Sequence, residues 1–350
     1  MTIIIDAKEG IDYKKLEKAA LILKEGGLVA FPTETVYGVG ANALLKDAVD
    51  KIFWAKGRPQ DNPLIVHVSS KDMLEMCAEI TDERVYMLIE RFWPGPLTIV
   101  LPKKNVIPDN VTASLSTVGV RMPANRIALE LIKLAGVPVA APSANVSGKP
   151  SPTEAKHVIE DLMNKVDVII DGGKCSFGLE STVVDLSGEK AVILRPGAIS
   201  YFALKEVLGN IELEYSKAVV EGLTGTVPRS PGMKYKHYAP DAKLIIVKGR
   251  IDKRIDKIND MKKEFEYKGY KVGILCFYET VHNFDSQYKL ILGSMFDAKE
   301  CGRNLFSILR KFNQLGVDYI LCEWGEFDLE FLALENRLYK AAANNIVEVL

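Results

Sequence analysis

Residues Val166–Leu194 read VDVIIDGGKCSFGLESTVVDLSGEKAVIL, and their pattern decides what kind of sheet this chain builds. Three apolar, β-branched runs, Val166–Ile170, Thr182–Leu186 and Ala191–Leu194, follow one another with only glycine-rich and polar stretches between them. Parallel neighbours are usually joined by a helical crossover, and no long helix fits between these runs. The sheet they belong to is therefore mixed, not purely parallel.

Upstream, strand and helix patterns alternate. TIIID (Thr2–Asp6) reads as a strand, and Leu16, Ala20 and Leu23 fall at helical spacing before a Gly26-Gly27 stop. LVAFP (Leu28–Pro32), PLIVHVS (Pro63–Ser69), LTIVLP (Leu97–Pro102), GVRMP (119–123) and VPVAAPSA (Val137–Ala144) are further strands. Helices are expected at Ala48–Lys56 and near Ala128–Leu134. One α/β domain is expected over residues 1–209.

Downstream, regularity fails from Ile211 to Pro240. GLTGTVPRSPGMKYKHYAP holds three glycines and three prolines without a sustained period, the mark of a linker or lid over 210–241. KLIIVKG (Lys243–Gly249) restarts a strand. A helix with Ile251, Ile255 and Ile258 on one face follows, then YKVGILCFYE and KLILG. Cys301, Leu305, Ile308, Leu309 and Phe312 then mark a strongly periodic helix, before VDYILCEW and a last helix around Leu334–Ala342. This rhythm suggests a small, Rossmann-like parallel sheet over 242–350.

Composition narrows the function. The chain has 350 residues, 48% of them hydrophobic and 26% charged, with 45 Lys and Arg against 46 Asp and Glu. A net charge of −1 argues against a protein whose main grip is on nucleic-acid backbone. No apolar run reaches the ~18 residues that span a bilayer, and MTIIIDAKEG lacks the marks of a secretory signal. The 5 cysteines are scattered without a C-x-x-C pair and the 4 histidines lack ligand spacing, so reduced thiols are expected and a zinc site is not.

Nucleotide motifs are sparse. No G-x-x-x-x-G-K-[ST] occurs. Gly38-x-Gly40-x-x-Ala43 approaches a dinucleotide fingerprint but starts too far past Pro32, and reads as small residues in a turn. Richer chemistry lies in PTETVYG (Pro32–Gly38), WAKGRPQDNPLIVHV (Trp54–Val68), STVGVRMP (Ser116–Pro123), APSANVSGKPSPT (Ala141–Thr153), LESTVVD (Leu179–Asp185) and LRPG (Leu194–Gly197). Several of these sit at strand ends, and together they set basic side chains beside hydroxyls and amides. That suits a polyanionic ligand which must be neutralised and oriented. Taken singly, each has a plainer reading. Arg121 alone would pair with a surface acid, and His67 alone would be a half-buried, hydrogen-bonded histidine.

In order along the chain, PTETVYG, Lys56-Gly57-Arg58, Ser143-Ala144-Asn145, the EST of LESTVVD, LRPG and SPGMKYKHYAP (Ser230–Pro240) resemble the YrdC-type threonylcarbamoyl-AMP synthase family, in its long two-domain branch. The resemblance implies an N-terminal YrdC-like twisted mixed sheet with helices and a smaller C-terminal Rossmann-like parallel α/β domain that anchors the linker. It implies that L-threonine, bicarbonate or CO2, and ATP with Mg2+ give threonylcarbamoyl-AMP and pyrophosphate. The product would pass to a threonylcarbamoyl-transferase complex acting on adenosine 37 of tRNA. By the same resemblance Lys56, Arg58, Ser143 and Asn145 form a central polar tetrad, and Thr35, His67, Arg121 and Ser181 contact threonine. Arg58, Asn62, Thr117, Ser143, Ser151 and Arg195 hold ATP, with Tyr235 closing over it from the linker. A cytoplasmic protein without a membrane partner is implied. Two alternatives stay open: a non-catalytic RNA-binding module, against which the charge balance counts, and a carbamoyl-transfer enzyme of the hydrogenase-maturation type, whose cysteine pairs are missing here.

Overall fold

The computed structural model describes residues 1–220 and 238–349, which form two β-sheets flanked by helices. Contacts divide the chain into two units, Met1–Ser147 with Ser151–Tyr235, and Gly148–Pro150 with Lys236–Leu350.

The first unit is built on an 11-stranded sheet. Its strands are β1 (Ile3–Asp6), β2 (Val29–Phe31), β3 (Gly38–Asn42), β4 (Ile65–His67), β5 (Leu97–Pro102), β6 (Thr117–Arg121), β7 (Val139–Ala140), β8 (Val168–Asp171), β9 (Thr182–Asp185), β10 (Ala191–Arg195) and β11 (Leu213–Tyr215). They lie in the order β1-β8-β2-β3-β7-β4-β6-β5-β9-β10-β11. The sheet is mixed, as the Val166–Leu194 stretch requires: β4 runs parallel to β6 and β5 to β9, whereas β5 is antiparallel to β6 and β9 to β10.

Alternation along the central strands separates two faces. Val66, Leu97, Ile99, Leu101, Val118, Val120 and Val184 point into the main core. Leu16, Ala20 and Leu23 of helix Tyr13–Lys24 meet that core, as do Ala128, Leu131 and Ile132 of helix Arg126–Ala135. Each buried Val, Leu or Ile side chain among them contributes about 1.5–3 kcal/mol relative to exposure. On the other face stand Ile65 and His67 of β4, Thr98 and Val100 of β5, Thr117, Gly119 and Arg121 of β6, and Val183 of β9. There the apolar part shrinks to a small patch of Val100, Val183 and Leu194. The candidate residues His67, Thr117 and Arg121 stand on this second face.

Three expectations need correction. The Gly38–Ala43 segment is neither a turn nor a cofactor loop; Gly38–Asn42 is a strand between β2 and β7. Gly40 shows why it is made of small residues. A Cβ there would come within 2.7 Å of Val139 Cγ1 and 2.8 Å of Phe31 Cε1. The stretch from Ile211 is not wholly irregular, because β11 pairs parallel with β10 and carries the first sheet past residue 209. The last helix, Leu332–Ala341, is followed by one more strand.

In the second unit β12 (Lys243–Gly249), β13 (Val272–Cys276), β14 (Lys289–Ile291), β15 (Tyr319–Trp324) and β16 (Ile346–Val349) form an all-parallel sheet in the order β14-β13-β15-β12-β16. The Rossmann-like expectation holds for the parallel α/β architecture. The strand order departs from the doubly wound nucleotide fold, since β15 stands between β12 and β13. Cys301, Leu305, Leu309 and Phe312 of helix Ala298–Leu315 are fully buried, matching their spacing. All five cysteines are free and buried.

Candidate active site

The loop between β2 and β3 is locked by its own hydroxyls. Thr33 Oγ1 accepts from Val36 N (3.2 Å), donates to Val36 O (2.7 Å) and lies 2.8 Å from Thr35 Oγ1. A second loop ties it from outside: Phe177 N donates to Glu34 O (2.8 Å) and Gly178 N to Thr35 O (3.1 Å). Thr35 is thereby held toward β6, where Arg121 Nη1 donates to its Oγ1 (2.9 Å) and Arg121 Nε donates to Gly95 O (3.2 Å).

Arg121 faces a buried acid, not a surface one. Its Nη2 lies 2.7 Å from Glu34 Oε1, with side-chain exposures of 4% and 6%. Glu34 was passed over in the sequence, where only the hydroxyls of PTETVYG drew weight. His67 is the register partner of Arg121 on the adjacent strand. It is buried, not half-buried, with its ring edge-on to Phe31 and no hydrogen-bond partner at Nδ1. Burial above all, and then the charge of Arg121, push its pKa down to about 3. The imidazole is neutral near pH 7.

Lys56 ends helix Lys46–Lys56, and Gly57, at φ 60, turns the chain toward Arg58. The Lys56 ammonium is 2% exposed and donates to the carbonyls of Ser143 and Asn145 (both 2.5 Å). Return bonds run from Ser147 N to Lys56 O (2.9 Å) and from Ala144 N to Tyr37 O (2.8 Å). The K-x-R turn, the S-x-N loop and the Thr-rich loop are thus laced together. Arg58 Nη2 donates to Asn62 O (3.1 Å) and Pro63 O (3.2 Å). The Asn62 amide is buried with no hydrogen-bond partner at Nδ2 or Oδ1. Buried polar atoms are nearly always paired, and this amide has both a donor and an acceptor to offer a polar group.

A third group gathers at the start of β9. Ser181 Oγ lies 2.8 Å from Thr98 Oγ1 and accepts from Arg195 Nη2 (3.0 Å), which also donates to Ser181 O (2.9 Å). Ser151 Oγ donates to Glu180 Oε1 (2.7 Å). Thr98 and Glu180 were not singled out from the sequence. Thr98 had a visible signal, being the polar position within LTIVLP.

The expected residues thus gather in clusters: Thr35, His67 and Arg121; Lys56, Ser143 and Asn145; Arg58 with Asn62; Ser181 with Arg195. Thr117 is set apart from Arg121, four residues away on the same face of β6, or about 13 Å at strand rise. Around it Ile65, Val100, Leu115, Gly119 and Val183 line a shallow, mostly apolar depression. Tyr235, expected to close over the nucleotide, lies outside the described residues, as does most of the expected lid. Among the described residues no group of three or more His, Cys, Asp or Glu side chains gathers as a metal site.

Comparison with known proteins accounts for both units. A family model described as "Telomere recombination" matches residues 21–197, and one described as "Threonylcarbamoyl-AMP synthase, C-terminal domain" matches residues 199–343. A threonylcarbamoyl-AMP synthase from Pyrococcus abyssi is 48% identical over 349 residues, covering 100% of each chain. The chain belongs to the threonylcarbamoyl-AMP synthase family. A second member, from Bacillus subtilis, is 42% identical over 336 residues, 95% of this chain and 94% of its own. A solved structure of Pyrococcus abyssi Sua5 complexed with L-threonine matches with a TM-score of 0.93, at 48% identity and over 100% of both chains. Family membership thus extends over both sheets, including the parallel sheet of the second unit.

Proposed function

We propose that this chain converts L-threonine, bicarbonate or CO2, and ATP into L-threonylcarbamoyl-AMP and pyrophosphate. The observation that carries the proposal is the buried cluster of Arg121, Thr35 and neutral His67, in the same unit as Lys56, Arg58, Asn62, Ser181 and Arg195. A small zwitterion bearing a carboxylate suits the first three, and a polyphosphate suits the arginines around it. The full-length likeness to synthases, over both units, is what neither an RNA-binding module nor a hydrogenase-maturation enzyme accounts for.

The chemistry asks mostly for placement. The threonine amine combines with bicarbonate to give a carbamate and water. A carbamate oxygen then attacks the α-phosphorus of ATP, and pyrophosphate leaves. In this proposal Arg121 and Thr35 hold the threonine carboxylate end, with His67 and Ser181 beside its side chain. Arg58, Asn62, Thr117, Ser143, Ser151 and Arg195 hold the nucleotide, and Tyr235 covers it. Lys56 fixes the Ser143–Asn145 backbone and lends positive potential near the phosphates. Magnesium would enter on the ATP phosphates, the usual way this ion is carried into such sites. The activated product then serves a transferase complex that modifies adenosine 37 of tRNA. ATP as substrate and tRNA as end target place the reaction, on this reading, in the cytoplasm.

Omission assays test the reading. Pyrophosphate release from ATP and magnesium is expected only when threonine and bicarbonate are both present. Release that ignores threonine contradicts it.

A further inference from the structure

Glu34 is a buried carboxylate that the reaction above does not use. Its side chain is 6% exposed, and Oε1 stands 2.7 Å from Arg121 Nη2. That contact is an ion pair at charge-assisted hydrogen-bond distance, while the second Glu34 oxygen, Oε2, is buried with no hydrogen-bond partner. A carboxylate serving only the fold would be expected to satisfy both oxygens, because buried polar atoms left unpaired are costly.

The backbone gives Glu34 little freedom to turn away. Its carbonyl accepts from Phe177 N (2.8 Å) and Ser176 Oγ (3.3 Å), and the residues on either side are tied through Thr33 and Thr35. The negative charge is felt nearby as well. The buried Cys175 thiol is pushed up to about 12, by burial first and by Glu34 next.

An α-amino acid carries a carboxylate and an ammonium on the same carbon. Arg121 and Glu34 present the two opposite charges to match, and the Thr35 hydroxyl accepts from the other guanidinium nitrogen, Nη1. We infer that Glu34 receives the ammonium group of the amino-acid substrate while Arg121 takes its carboxylate. This rests on the proposed use of threonine and adds the recognition of its amine. Glu34 thereby selects amino acids and positions the nitrogen, which attacks the carbon source once the ammonium has given up a proton to solvent.

Calorimetric titration with two ligands tests this: L-threonine, and 2,3-dihydroxybutanoate, the same acid with a hydroxyl in place of the ammonium. The wild-type protein is expected to prefer threonine by about ten-fold or more, the size of a charge-assisted hydrogen bond in a buried site. In Glu34→Gln the threonine affinity should fall by about that factor while the hydroxy acid changes little, so the preference collapses. An equal loss for both ligands would overturn the inference, since Glu34 would then only orient Arg121. Should Glu34→Gln fail to fold by circular dichroism, the wild type still decides, because equal affinity for the two ligands also overturns it. A wild type that binds neither ligand contradicts the threonine reading itself.

Discussion

His67 and Arg121 face each other across β4 and β6, and both are almost wholly out of water. Charging the imidazole would set a second cation beside a guanidinium with no solvent to screen it. Its pKa therefore falls from 6.5 to about 3, by burial first and by Arg121 next. A group with a depressed folded pKa binds fewer protons folded than unfolded. Its contribution is complete above pH 6.5 and is lost as the pH falls toward 3. His67→Gln is neutral at every pH and lacks this dependence. Urea titrations at pH 7 and pH 5 should show wild type losing about 2 kcal/mol more unfolding free energy than the variant. Equal losses would mean the imidazole is not held neutral. Lys56 solves the opposite problem. Its ammonium stays buried because the carbonyls of Ser143 and Asn145 receive it.

β3 is the element on which the site's frame depends, and the one the sequence hid. Gly38-Val39-Gly40-Ala41-Asn42 has too little alternation to read as a strand, because both of its faces are buried and its neighbours press close. Gly40→Ala should destabilise the fold by about 1–3 kcal/mol, the cost of forcing a methyl group into a packed core. It should also lower activity, since Gly38 at the head of β3 pairs with Ser143. Thermal melting beside an activity assay checks both, and an unchanged melting point would show that β2 or β7 can yield. Strands with strong alternation or a continuous apolar run, such as β5, β6 and β8, were legible. The three-residue β11 was not, because its pairing with β10 and not a local pattern makes it a strand, whereas two-residue β7 was read inside the longer apolar run Val137–Ala144. The site divides the same way. Arg121, His67 and Lys56 stood out by motif, whereas Glu34 gains meaning only from its contact with Arg121, and Thr98 only from strand order, which sets β5 beside β9.

At the scale of the whole chain, every described residue assigned to chemistry lies in the first unit. The second unit is a parallel sheet with a family model of its own, and it holds none of them. The account's central claim is that the first unit joins three small reactants into one mixed anhydride. Carbon-13 bicarbonate tests it most directly. The chain is incubated with L-threonine, ATP and magnesium, and the nucleotides are separated at once and weighed by mass spectrometry. The expected result is a new adenylate with the mass of threonylcarbamoyl-AMP, one dalton heavier with labelled than with ordinary bicarbonate, alongside an equal amount of pyrophosphate. ATP cleaved to AMP and pyrophosphate with no labelled adduct, or no cleavage at all, would contradict the claim.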